Sequence, residues 1–105
     1  MKHVKAIALV TLLGSSLATM AAVAGEIHTR QKNQRTRIKQ GNTTGSLTNH
    51  ERKVLNAEQQ VIDNTRNRAL SDGTMSAKEA KNLTHMQNKA SRDIYRLKHN
   101  NKTKP

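Results

Sequence analysis

A glycine-led motif that occurs twice, 28 residues apart, constrains the fold of this chain most. Each copy reads Gly, a spacer, Leu or Met, Thr or Ser, two spacers and Glu. The hydroxyl residue can accept a hydrogen bond from the first helical turn, and the Glu three residues later can accept one from the cap's own N–H, which is the capping box. Glycine takes a left-handed conformation readily, so it suits the turn before each cap. The predicted structural caps are Gly45, Thr48, Glu51, Gly73, Ser76 and Glu79.

Apolar residues recur at helical spacing after each motif. In the stretch 48–71 they form pairs seven or eight residues apart, and in 76–99 they step by three or four. Leu55 and Leu83 occupy matching positions, as do Gln59 and Gln87. The spacing predicts two amphipathic helices that start at the two caps and join at Asp72 and Gly73. We therefore predict an all-α fold whose main unit, residues 48–99, is an antiparallel two-helix hairpin.

The segments on either side of the hairpin are basic. The large aliphatic residues of the segment 25–47 are Ile27, Ile38 and Leu47 alone. Because they form no apolar stripe, we predict that this segment is partly disordered or forms a third, short helix. Residues 100–105 form a basic tail. Because a lone hairpin buries little apolar surface, its stability requires either docking of the basic segment or self-association as a homo-oligomer.

Residues 1–24 have the pattern of a signal peptide. Basic residues at the start precede an apolar run, and the small residues Ala22 and Ala24 flank Val23 immediately before Gly25. The apolar run is short and interrupted by polar residues, so no transmembrane segment is expected after cleavage. The sequence predicts a periplasmic or secreted protein, and without cysteine it has no disulfide framework.

The two loops also resemble degenerate EF-hand loops. Aligning Gly45 and Gly73 with the family's invariant glycine places Glu51 and Glu79 at the twelfth, bidentate position. The first position, normally Asp, is Gln40 in one loop. We predict no metal site and no cofactor. Under the EF-hand interpretation, the weak candidate calcium ligands are Asn42, Thr44, Thr48, Glu51, Asp72 and Glu79. The repeated motif also resembles small exported bacterial proteins without an assigned activity.

Catalytic residues do not form a recognisable set. The seven acidic residues are scattered, and no two histidines follow the i, i+4 spacing of a helical metal site. Surface ion pairs explain mid-helix acids such as Asp63 and Asp93, each three residues before an arginine. We predict that the chain is not an enzyme.

Positive charge is the main indication of function. Residues 25–105 contain 17 Lys and Arg against 7 Asp and Glu, a net charge of +10. Such a charge favours polyanions, but the absence of Phe and Trp argues against specific nucleic-acid binding. The predicted polyanion-binding residues are Arg30, Lys32, Arg35, Arg37, Lys39, Lys89, Arg92, Arg96 and Lys98.

These features predict an exported, non-enzymatic binding or adaptor protein of the cell envelope. Its partner would be an anionic envelope component or an acidic protein, bound through basic faces. One alternative is a degenerate EF-hand-like calcium-binding protein. A second, by fold analogy alone, is a periplasmic stress chaperone.

Overall fold

The computed structural model describes residues 17–100, and this part of the chain contains three α-helices. They are α1 (Leu17–Thr44), α2 (Asn49–Ala69) and α3 (Ala77–Lys98), and this part contains no β-strand. The predicted all-α class is confirmed, but the hairpin of α2 and α3 is joined by a third long helix. Residues 1–16 of the predicted signal peptide and residues 101–105 of the predicted tail lie outside the described residues.

The capping boxes define where α2 and α3 begin. Thr48 Oγ1 accepts from the Glu51 N–H at 3.0 Å, and Glu51 Oε1 accepts from the Thr48 N–H at 2.9 Å. Ser76 and Glu79 make the same reciprocal pair at 3.1 and 2.8 Å. Each box satisfies two backbone donors that have no partner within the helix or preceding turn. The repeated motif therefore forms two equivalent helix starts.

The glycine of each motif turns the chain between helices. Gly45 follows α1 with φ of 81°, and Gly73 lies between α2 and α3 with φ of 102°. Both values fall in the left-handed region, where a side chain is disfavoured. The glycines thus permit two short interhelical turns.

The helices run up, down and up. Arg30 and Arg37 of α1 bond to Asn88 and Ser91 of α3 in the same chain order, so α1 and α3 are parallel. α2 runs against both, since Asn100, just beyond the end of α3, bonds to Glu51 at the start of α2. The arrangement is a three-helix bundle with short connections.

The apolar core is divided into two clusters. The larger lies at one end of the bundle and includes Ile27, Ile62, Met75 and Leu83. The smaller lies at the other end and consists of Ile38, Leu47, Leu55 and Ile94, with Leu97 against it. Each cluster takes residues from all three helices or the turns between them, so α1 is an integral part of the core.

Four buried glutamines, here called the glutamine layer, separate the two clusters. They are Gln31 and Gln34 of α1, Gln59 of α2 and Gln87 of α3, each at most 3% exposed. Gln59 Nε2 donates to Gln34 Oε1 at 2.9 Å, and Gln34 Nε2 donates to the Gln87 carbonyl at 2.7 Å. Gln87 Nε2 donates to the Ile27 carbonyl at 2.7 Å, and Gln31 Nε2 to the Gln59 carbonyl at 3.1 Å. The layer therefore links all three helices through amide hydrogen bonds.

The glutamine layer explains why α1 exceeds the short helix or partly disordered segment predicted for residues 25–47. Ile27 and Ile38 are eleven residues apart, which is about three helical turns, so they share one face. Gln31 and Gln34 lie on that same face and are buried with them. Because glutamine counts as polar in a hydrophobicity pattern, the buried face of α1 is not visible as an apolar stripe.

The first two turns of α1 coincide with the end of the predicted signal peptide. The helix continues without a break through Ala24 and Gly25, the predicted cleavage point. Met20, Val23 and Ala24 pack against the larger apolar cluster. In this structure, residues 20–24 therefore contribute to the core.

Candidate anion-binding surface

The packing of α1 on α3 gathers several of the predicted polyanion-binding residues into one surface. Arg30, Arg37 and Lys98 bridge the two helices by hydrogen bonds. Arg92 is exposed and lies one turn after Asn88, the partner of Arg30, so it is on the same side of α3. We call these four cations the α1/α3 face.

Neutral acceptors hold three cations of the α1/α3 face in place. Arg30 donates to Asn88 Oδ1 at 2.6 Å. Arg37 donates to Ser91 Oγ at 2.8 Å and to the Ser91 carbonyl at 3.3 Å. Lys98 Nζ donates to the Arg37 carbonyl at 3.3 Å. Among the described residues, none of the three forms an ion pair with a carboxylate, so their positive charge remains uncompensated.

The other predicted polyanion-binding residues lie elsewhere. Arg35 pairs with Asp63 of α2, while Lys89 and Arg96 pair with Asp93. Lys32 and Lys39 are exposed, but each follows a face residue by two positions, a rotation of about 200° around α1. The nine residues thus do not form one site.

One aromatic ring lies beside the α1/α3 face. Tyr95 is four residues after Ser91 and three before Lys98, and its side chain is 61% exposed. It stacks on His99 with ring centroids 4.0 Å apart and an interplanar angle of 21°. A 2.7 Å hydrogen bond between His99 Nδ1 and the Tyr95 carbonyl fixes the second ring. The stack is a flat, ordered and solvent-exposed surface next to uncompensated cations.

Two acidic residues meet at the contact between α2 and α3. Glu58 of α2 and Asp93 of α3 form a carboxyl pair, and Lys89 Nζ lies 3.4 Å from Glu58 Oε2 and 2.7 Å from Asp93 Oδ2. Burial raises the pKa of Glu58, as do a hydrogen bond to Asp93 and repulsion from it. Burial also opposes ionisation of Asp93, but hydrogen bonds from Lys89, Glu58 and Arg96 outweigh it and lower the Asp93 pKa. The hydrogen bond that Lys89 makes to Asp93 raises the pKa of Lys89, as do the charges of Glu58 and Asp93 and the hydrogen bond to Glu58.

The weak candidate calcium ligands are engaged in other contacts or lie apart. Glu51 and Glu79 accept hydrogen bonds from the backbone N–H groups of their caps, and Glu51 Oε2 also accepts from Asn100 at 2.7 Å.

The other candidate ligands lie in the two turns or on α1. Thr44 Oγ1 donates to the Gln40 carbonyl at 2.9 Å, within the last turn of α1. Asp72 accepts a 3.4 Å bond from the Thr74 N–H in the other turn, and Asn42 is exposed on α1. Within residues 17–100, no three His, Asp or Glu side chains form a group that could hold a metal ion.

Sequence reasoning missed the glutamine layer and the Glu58–Asp93 pair. The 28-residue period contained a signal for the first, because Gln31, Gln59 and Gln87 are spaced by that period, as are Ile27, Leu55 and Leu83. The repeat thus has a third copy in α1, which lacks the glycine-led cap. The second had no such signal, because Glu58 and Asp93 are 35 residues apart and meet only when α2 packs on α3.

No helix in the described part of the chain is both long and apolar enough to cross a membrane. In comparisons with known proteins, no family model, curated protein or solved structure matches the chain.

Proposed function

We propose that this chain is an exported, non-enzymatic binding or adaptor protein of the cell envelope, and that it engages an anionic component through the α1/α3 face. The observation that carries the proposal is the set of hydrogen bonds made by Arg30, Arg37 and Lys98. All three bond to neutral atoms of the described chain, so each retains its full charge for a ligand. Arg35 and Lys89, by comparison, pair with carboxylates at the contacts of α2: Arg35 with Asp63, and Lys89 with Glu58 and Asp93.

The preorganised side chains of Arg37 and Lys98 also favour ligand binding at the α1/α3 face. Long basic side chains lose rotamer freedom when they bind, and that loss weakens association. The hydrogen bonds of Arg37 and Lys98 already restrict these side chains before a ligand arrives. Arg37 also places a planar guanidinium at the surface, which suits phosphate or carboxylate groups.

A binding titration with an anionic probe tests the surface. Vesicles of phosphatidylcholine with and without phosphatidylglycerol serve as the probe, at low and at moderate salt. We expect binding only to the anionic vesicles. Added salt should weaken this binding, because it screens the charges and reduces the gain from counterion release. The double variant Arg37→Gln/Arg92→Gln should weaken binding on the order of tenfold, the effect of losing two exposed charge contacts.

A matched variant distinguishes a site from net charge. Lys53→Gln/Lys78→Gln removes the same charge from two exposed positions outside the α1/α3 face. We expect it to bind nearly as well as the parent protein. Equal losses in the two double variants would show that overall charge, and not this face, attracts the vesicles.

Export has its own test. We expect the protein isolated from producing cells to begin near Gly25 and to occur in the periplasm or medium. Cleavage there would remove Met20, Val23 and Ala24 from the larger apolar cluster and leave Ile27 in place. Intact-mass measurement that finds residues 1–24 retained in the membrane fraction would contradict export.

A further inference from the structure

We propose that the Tyr95–His99 stack and the α1/α3 face together bind an anionic saccharide, with a sugar ring on Tyr95 and its phosphate or sulfate groups on the neighbouring cations. This inference rests on the proposed function, because it assigns a ligand class to the same face. Its observation is separate: the described chain exposes a stacked ring pair where the cations have no carboxylate partner.

Tyr95 is the most exposed large hydrophobic residue of the described chain, ahead of Val61 at 55% and Val54 at 47%. Tyr95 is its only Phe, Trp or Tyr, and large apolar residues are scarce. The bundle nevertheless fills its core with Ile, Leu, Met and Gln and leaves Tyr95 61% exposed. The ring therefore contributes little to the core and remains accessible to a ligand.

The geometry of the stack suits a sugar. An aromatic face carries partial negative charge, and the C–H bonds on the face of a pyranose carry partial positive charge, so the two attract. His99 stacks on Tyr95 and is fixed by its bond to the Tyr95 carbonyl, which holds the pair in one orientation. One ring matches one sugar unit, whereas single-stranded nucleic acid requires platforms for successive bases.

Three cations surround Tyr95 at positions where they can contact charged substituents of a sugar that stacks on its ring. Lys98 is three residues from Tyr95 on α3 and Arg92 is three residues before it, so both flank the ring on one helical side. Arg37 approaches from α1 through its bond to Ser91, one turn before Tyr95. A ring contact flanked by three cations recognises an anionic saccharide better than it recognises a plain anion.

Paired probes test the inference. The purified protein is titrated with dextran sulfate, which has sugar rings, with polyphosphate, which has none, and with a single-stranded oligonucleotide. We expect Tyr95→Leu to weaken dextran sulfate binding about fivefold, the effect of losing one aromatic stack, and to leave polyphosphate binding within about twofold. Tyr95→Phe keeps the ring and should bind dextran sulfate like the parent.

The outcomes separate this inference from the proposed function. If Tyr95→Leu has no effect on dextran sulfate while Arg37→Gln/Arg92→Gln weakens both polyanions, the face binds anions and the saccharide assignment is wrong. If the arginine variant has no effect on either polyanion, the proposed function itself fails. A Tyr95 effect confined to the oligonucleotide would also overturn the inference, since it would identify a base as the stacking partner.

Discussion

Gln34 of α1 joins the other two helices at the centre of the bundle: its Oε1 accepts from Gln59 Nε2 at 2.9 Å, and its Nε2 donates to the Gln87 carbonyl at 2.7 Å. The Oε1 atoms of Gln31, Gln59 and Gln87 lie buried without a hydrogen-bond partner in the described chain, whereas both polar atoms of Gln34 are bonded. Gln34 is therefore the member of the glutamine layer whose side chain both donates and accepts, and its loss leaves the buried Gln59 amide without its acceptor.

Gln34→Leu should destabilise the bundle by about 1–3 kcal/mol, because the buried Gln59 amide loses its partner. The double variant Gln34→Leu/Gln59→Leu should recover part of that loss, since it removes the stranded amide as well. Urea unfolding measures both. Gln40→Leu, at an exposed position of the same helix, is the control and should change stability little. A similar loss in the single and double variants would show that the amide bonds do not matter.

Glu51→Ala should cost more than Glu79→Ala, although both residues occupy the same position in a capping box. Glu51 is 3% exposed, and its carboxylate accepts from both Thr48 and Asn100. We expect a loss of about 1–3 kcal/mol for Glu51→Ala, since it leaves the Asn100 amide and the Thr48 N–H without this acceptor. Glu79→Ala should lose about 0.5 kcal/mol, from a more accessible cap bond and the helix dipole. Chemical unfolding decides the order, and equal losses would contradict it.

Glu58→Gln and Asp93→Asn should change stability in opposite directions at neutral pH. The raised pKa of Glu58 means that its ionised form is disfavoured by folding, so neutralising it removes a destabilising charge. The lowered pKa of Asp93 means that its ionised form is favoured by folding, so neutralising it removes a stabilising one. Lys89 can still pair with the remaining carboxylate in either variant.

The pH dependence of the same two variants has a predictable sign. As pH falls through the raised pKa of Glu58, the parent loses that residue's destabilising charge, so the advantage of Glu58→Gln shrinks. As pH falls through the lowered pKa of Asp93, the parent loses that residue's stabilising charge, so the deficit of Asp93→Asn shrinks at lower pH. Melting curves at a series of pH values measure both trends. If the melting temperatures of both variants differ from that of the parent in the same direction at every pH, the assignment of opposite pKa shifts is wrong.

Calcium at up to millimolar concentration should leave the melting temperature unchanged. A ligand of the native state must raise it, and the Glu51 and Glu79 carboxylates would have to leave their capping boxes to coordinate a metal. Circular dichroism melts with calcium and with a chelator provide the measurement. A calcium-dependent rise that disappears in Glu51→Gln would favour the EF-hand-like alternative.

The sequence by itself determined the helix starts and the all-α class. A capping box is a local structure: Thr48 and Glu51, or Ser76 and Glu79, meet within one turn wherever the helix goes. The apolar spacing of α2 and α3 is likewise a property of consecutive residues. These features could be read from the chain because their partners are three or four positions away.

Only the tertiary structure decided that α1 completes the bundle and which cations share a surface. The buried face of α1 contains Gln31 and Gln34, whose burial becomes favourable only when carbonyl and amide groups of α2 and α3 accept and donate their hydrogen bonds. In the same way, Arg35 and Arg37 look equivalent in the sequence, yet one meets Asp63 and the other meets Ser91. Whether a charge is neutralised depends on the side of the helix it occupies and on the helix packed there, and that is set by contacts between residues far apart in the chain.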